Sequence, residues 1–448
     1  MALGSVGPVG ADLTIAVPPG RLGLPWLGET LALLRNPFAF LDVRRGRYGP
    51  VFKSRILGRP TVFLCSAAGA DAFYDAQNIV RDDAHPYPIV DLFGGVNMEM
   101  YDGPRHRALK TITLTAFGPD ALVAYLPEME SLIGDRLAQW SRRPEFSATA
   151  ELRKLAIEVI CLNLLGLEPG PGTDRVCQDY GTVLRGIVSV PLGIPGTPYG
   201  QARAARDRLL AQILELVQAR RAEPTRDGLS RILTSRAPDG RACTDDEAVL
   251  EVHHVVMAGF IVYALMAEVV RRLAEDRALA ERCEQEVREL GAPLRLETLR
   301  ELAASTQVVN ETKRVVPLVP LAFGRARQSF VCDGYRVPEG WRVYLALSLR
   351  NRDPEVWSAP ERFDPDRFGA ARAEQSSHPL AFIPQGAGPP SGHQCLGLEY
   401  STVLTLAFMT LLVRDYEWDL PDQSLSYRWN TIPPEPSDGL RVRLRRRV

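Results

Sequence analysis

The sequence predicts a mainly α-helical chain with small β-sheets, folded as a single domain over residues 1–448. Three observations carry that expectation. Helical spacing of apolar residues recurs over 102–118, 121–140, 148–166, 200–222 and 244–276, with turn residues between most of these segments. Strict alternation is confined to two short regions, 51–65 and 326–347. No stretch of linker composition divides the chain, and 46% hydrophobic against 24% charged residues suffices for a large buried core.

In chain order, residues 1–20 are rich in Pro and Gly and are expected as a flexible lead. A short amphipathic segment follows over 20–50, and 51–65 alternates like a hairpin around Gly58. Among the helices the clearest opens at Thr244, where T-D-D-E forms a capping box with Glu247 ahead of an apolar run from Val255 to Ala267. That pattern predicts one helix of roughly thirty residues, about 45 Å long at 1.5 Å per residue. The run is too short, and too closely flanked by His253, His254 and Glu268, to span a bilayer, so the helix is expected to cross the protein's centre. Over 326–347, D-G and P-E-G turns bracket short alternating runs and a small sheet returns. The stretch 350–395 is rich in Pro, Gly and Asp and reads as irregular; loops of this length in a compact domain are usually functional.

A net charge of −1 offers nothing for nucleic acid or an anionic membrane surface to recognise, and the basic end RVRLRRRV reads as a solvated final strand or tail. The seven cysteines (65, 161, 177, 243, 283, 332, 395) are an odd, widely spread set with no C-x-x-C pair, so neither a disulfide framework nor a zinc ribbon is suggested. A reducing cytoplasm is the expected location. The N-terminal residues show neither a signal peptide nor an apolar span, so no membrane anchor is expected. His253 and His254 do not suggest a metal site, because adjacent helical residues point about 100° apart.

The segment Phe382–Tyr400 reads FIPQGAGPPSGHQCLGLEY and is followed at once by the apolar helical pattern STVLTLAFMTLLV. Cys395 therefore stands where a loop enters a helix, where unpaired amides and the helix dipole are expected to lower a thiol pKa. Gly386, Gly388, Gly392 and Gly397 permit the close backbone approach that a flat macrocycle needs.

Phe382 through Gly386, a glycine-bearing turn, C-x-G and a helix together resemble the axial-ligand loop of the cytochrome P450 family. Three further motifs agree in order and spacing: Glu311-Thr312-Lys313-Arg314 matches E-x-x-R, Pro360-Glu361-Arg362-Phe363 matches P-E-R-F, and Asp102 through Lys110 is similar to D-G-x-x-H-x-x-x-R. The resemblance covers the chain from about 20 to 440. It implies a single-domain P450-like fold with haem b (iron protoporphyrin IX) between the long central helix and the cysteine helix, and Cys395 as the thiolate ligand of iron. His106, Lys110, Arg325 and His393 would bind the haem propionates, with Gly386 and Gly397 beside the macrocycle. Glu311, Arg314 and Arg362 would form a buried ionic network, since i and i+3 share a helix face.

The central helix departs from the family pattern A-G-x-(D/E)-T, reading Ala258-Gly259-Phe260-Ile261-Val262. Both proton-relaying side chains are absent, and general acid catalysis of that kind is worth about 10²–10⁴ in rate. The lengthened cysteine loop resembles that of the fatty-acid peroxygenase branch, whereas Ile261-Val262 lacks that branch's Arg-Pro. The stretch VSVPLGIPGTPYGQARAARDRLL resembles branches that oxidise retinoids, sterols and other terpenoid-like molecules. These features imply oxidative tailoring of a hydrophobic, terpenoid- or polyketide-like small molecule in secondary metabolism. Electrons would come from a ferredoxin and ferredoxin reductase; use of H₂O₂, or a non-redox isomerase or cyclase reaction, are the alternatives.

Overall fold

The computed structural model describes residues 15–288, 290 and 293–447. Near the N-terminus, Asn36 caps the helix Pro37–Tyr48 by accepting from the Ala39 amide at 2.9 Å, and the chain then enters the antiparallel pair Val51–Ile56 and Arg59–Leu64. Leu57 (φ 48°) and Gly58 (φ 78°) make the two-residue turn, the left-handed geometry that suits the strands' twist. Of the expected N-terminal lead, residues 1–14 lie outside the described residues. Residues 19–20 are not loose, because the Lys53 amide donates to the Pro19 carbonyl at 2.7 Å.

That hairpin belongs to a five-stranded sheet. Its order runs Val51–Ile56, Arg59–Leu64, Arg342–Leu345, Ala322–Ala326, Ile79–Val80, with Arg59–Leu64 and Arg342–Leu345 parallel. Alternate residues serve the two faces: Phe52 and Phe63 stack at 4.9 Å with Phe40 and Tyr344 on one side, while Val51, Val62, Leu64 and Val343 join Ile383 on the other. The late alternating region thus divides, since only Phe330–Cys332 and Tyr335–Val337 form the local hairpin expected there. The basic C-terminal run is a strand, Arg441–Arg446, between Phe146–Ser147 and Tyr416–Asp419.

The rest is helical and shares one large core. Ala148–Leu165, capped by Ser147 and stopped by the left-handed Gly166 (φ 62°), packs between Pro119–Trp140 and the central helical stretch. Leu398–Asp415 is buried continuously from Val403 to Val413, as its all-round apolar sequence requires. The helix Pro171–Ile187 has no counterpart in the sequence-based expectation.

The central stretch is two helices rather than one. Asp245–Phe260 starts at the expected capping box, and Tyr263–Glu275 continues after a break at Ile261-Val262. At the break the hydrogen bonds shorten to the i→i−3 type, from Val262 to the Gly259 carbonyl and from Ala264 to the Ile261 carbonyl. Asp245–Glu275 is long and apolar enough to cross a membrane, yet 78% of its most apolar window is buried within the protein, so its apolarity serves the core.

Candidate active site

The break in the central helix faces the cysteine loop across a deep cavity. Ala258, Gly259, Ile261 and Val262 form one wall, and Gly386, His393, Cys395 and Gly397 the other. Gly259 also meets a packing demand behind the cavity, because a Cβ there would stand 2.7 Å from Cδ1 of Ile160.

The cysteine loop is fixed at both ends. Asn351 Oδ1 accepts from the Ile383 amide at 3.3 Å, and the Cys395 amide donates to the Gln385 carbonyl at 3.1 Å. Gly386 is left-handed (φ 78°), and a Cβ on it would come within 3.1 Å of the His393 carbonyl. The helix Leu398–Asp415 begins three residues after Cys395. Burial nonetheless pushes the Cys395 thiol up, while the Gly397 amide, Lys110 and Lys313 pull it down. The expected lowering by the helix start alone is therefore corrected: desolvation outweighs it.

One side of the cavity is basic. His106 and His393 stack with ring centroids 4.2 Å apart, Lys110 Nζ donates to the Gln394 carbonyl, and Arg81 donates to the Phe323 carbonyl. Asp102 organises this rim, accepting from the Arg81 amide and lying 3.2 Å from His393 Nε2. Burial raises the Asp102 pKa, but the hydrogen bonds from His393 and the Arg81 amide hold it at about 2. Burial, His393 and Lys110 push His106 down to about 4. Arg325 does not join this rim; its Nε donates to the Asp82 carbonyl at 3.0 Å, and Arg81, which no motif announced, lines the cavity instead.

Behind the loop lies the ionic network. Glu311 accepts from Arg314 at 2.7 and 2.8 Å and from Arg367 Nε at 3.2 Å, with all three side chains 0% exposed. The second arginine is Arg367 rather than the expected Arg362, whose side chain is exposed and which contributes only its carbonyl, accepting from Arg314 and Arg367. The sequence holds two P-x-R-F candidates, at 360–363 and 365–368, and the later one turns inward. Lys313 of the same helix is buried, donating to Thr402 Oγ1 at 2.7 Å at the start of the cysteine helix.

The donor set fits haem. A lone thiol, a glycine-bearing loop and a rim of Arg81, Lys110 and two imidazoles are what an iron porphyrin with two carboxylates requires. Bound there, such a haem would supply oxidative chemistry, with Cys395 placed to ligate its iron. Adjoining the cavity is a second chamber, lined mainly by apolar groups such as Leu33, Pro88, Leu184, Val188 and Met257. Ala258, Ile261 and Phe323 border both. Sequence reasoning missed a polar group on this shared wall, made by His85, Glu99 and His254.

A broken apolar helix set against a half-buried thiol, with a basic rim at one side, defines a haem-thiolate oxidoreductase. The profile of the family described as Cytochrome P450 matches residues 18–432, and the chain belongs to that family. It is similar to the putative cytochrome P450 120 of Synechocystis sp., 29% identical over 437 residues that make up 96% of this chain and 97% of the relative. Abscisic acid 8′-hydroxylase 4 of Arabidopsis thaliana is 27% identical over 441 residues, 96% and 92% of the two chains. Among solved structures, a retinoic acid-bound cyanobacterial CYP120A1 superposes with a TM-score of 0.89 at 29% identity, covering 97% of this chain and 100% of that one. The chain is thus an enzyme of the monooxygenase class that oxidises hydrophobic molecules.

Proposed function

We propose that this enzyme oxidises an apolar isoprenoid-like molecule as a tailoring step of secondary metabolism in the cytoplasm, with Cys395 as the iron ligand of haem b. The observation that carries the reading is the adjacency of two cavities that share a wall, one holding the thiol and the basic rim, the other lined mainly by apolar groups. The relatives agree in chemistry, one being an abscisic acid hydroxylase and one a protein with retinoic acid bound. His106, Lys110, Arg81 and His393 hold the propionates, and the Glu311–Arg314–Arg367 network braces the cysteine loop. Electrons come from a ferredoxin and its reductase. Oxygen activation proceeds without an acid–alcohol pair, because Ile261 and Val262 stand at those positions.

Two measurements test this. Protein reduced under carbon monoxide is expected to show the red-shifted thiolate Soret band, and Cys395→Ala to lose it; an unchanged band in the variant removes Cys395 from the iron. Isoprenoid turnover is then compared with ferredoxin, reductase and NADPH, with H₂O₂, and with neither. The first regime is expected to give oxidised product, and product with peroxide alone, or with no oxidant, overturns the electron route.

A further inference from the structure

The shared wall of the two cavities carries one polar spot in an otherwise apolar surround. Glu99 sits on the short turn Met98–Met100, which the central helix pins because the Met98 amide donates to Glu251 Oε1 at 2.7 Å. Half of the Glu99 side chain is exposed, and it borders both chambers. One of its oxygens lies 3.3 Å from His254 Nε2, the other 3.8 Å from His85 Nε2. His254, Ala258 and Ile261 share a helix face at i, i+4 and i+7, so this spot lies along the wall that meets the reaction cavity.

The pair Glu99–His254 is charged. Burial opposes the His254 charge, but Glu251 and Glu99 raise its pKa to about 9, and burial likewise fails to prevent the two histidines from holding Glu99 well below the usual carboxylate range. His85 is the unsatisfied member. Its side chain is only 4% exposed, it packs against Phe323 at 5.1 Å, and neither ring nitrogen has a hydrogen-bond partner among the described residues. A buried polar group left so costs free energy unless a ligand completes it.

We propose that Glu99 and His85 anchor a hydroxyl group of the substrate. The 3.8 Å gap between Glu99 Oε1 and His85 Nε2 is too long for a direct bond and suits one bridging oxygen. A hydroxyl accepts from the imidazole N–H and donates to the carboxylate, which satisfies both. A carbonyl leaves Glu99 without a donor, a carboxylate meets the charge of Glu99, and an ammonium meets that of His254. The enzyme therefore selects an isoprenoid alcohol over the corresponding acid. This rests on the apolar chamber being the substrate site.

Calorimetric titration of the haem-loaded enzyme with geranylgeraniol, its deoxy hydrocarbon and geranylgeranoic acid tests the anchor. The alcohol is expected to bind about tenfold more tightly than the hydrocarbon, and the acid more weakly than the alcohol. His85→Phe is expected to bring the alcohol down to the hydrocarbon's affinity. Glu99→Gln, which keeps the shape and removes the charge, is expected to strengthen acid binding. Hydrocarbon affinity serves as the control for folding in both variants. Equal binding of alcohol and hydrocarbon by the unaltered enzyme, or tighter binding of the acid, overturns the anchor alone; no binding of any of the three overturns the isoprenoid reading with it.

Discussion

Glu311 shows what a motif can and cannot specify. The E-x-x-R spacing placed Arg314 on its face of the helix, but the choice between Arg362 and Arg367 depends on which turn of an irregular segment points inward. Main-chain direction in such a segment leaves little trace in residue types. Once folded the two arginines are unlike: Arg367 also binds Glu374 at 2.7 Å and the Ser358 carbonyl at 2.8 Å, whereas Arg362 is exposed. Arg367→Ala is expected to destabilise the protein by about 3–5 kcal/mol, since it strips a guanidinium from a fully buried carboxylate. Arg362→Ala is expected to stay within about 0.5 kcal/mol of the unaltered chain. Urea unfolding of the two variants checks this, and similar midpoints would return Arg362 to the network. Arg81 replaces Arg325 on the cavity rim because Arg325, on the strand Ala322–Ala326, turns to the Asp82 carbonyl, whereas His106, Lys110, His393 and Cys395 all face the cavity.

Helices were read from the sequence where capping and apolar spacing coincide, as at Thr244 with Glu247. The interruption at Ile261-Val262 was not, because β-branched residues are ordinary in a buried helix and neither is a breaker. What the sequence did display is Gly259, and its reason is close packing of the central helix on Ala148–Leu165. Gly259→Ala is expected to cost about 1–3 kcal/mol, the new methyl being driven into Ile160. Ile160→Ala opens the space, so the double variant is expected to be more stable than the sum of the single losses by at least about 0.5 kcal/mol. Strict additivity in denaturant midpoints would show that the glycine is needed for the helix path rather than for this contact.

At the level of the whole molecule, acid stability reflects groups buried in their neutral form. His253 lies between the Leu92 carbonyl at 3.1 Å and the Tyr180 hydroxyl at 3.3 Å, and burial pushes its pKa from 6.5 down to about 4. The unfolded chain then takes up this proton first, so stability falls as pH drops from about 6.5 to about 4 and is unaffected by this group above that window. The full effect is about 3 kcal/mol, and His253→Gln is expected to flatten the unfolding free energy between pH 7 and pH 4.5. Equal slopes for variant and parent would assign the acid sensitivity elsewhere. The local hairpin around Gly58 was legible in the sequence because its partners are adjacent, but the parallel neighbour of Arg59–Leu64 was not, since it lies about 280 residues away. On a ribosome that strand must therefore wait, one edge bare, until residues 342–345 have emerged. The sheet flanking the cavity closes late in synthesis, and a chain released before residue 345 has an open edge where the finished enzyme has a wall.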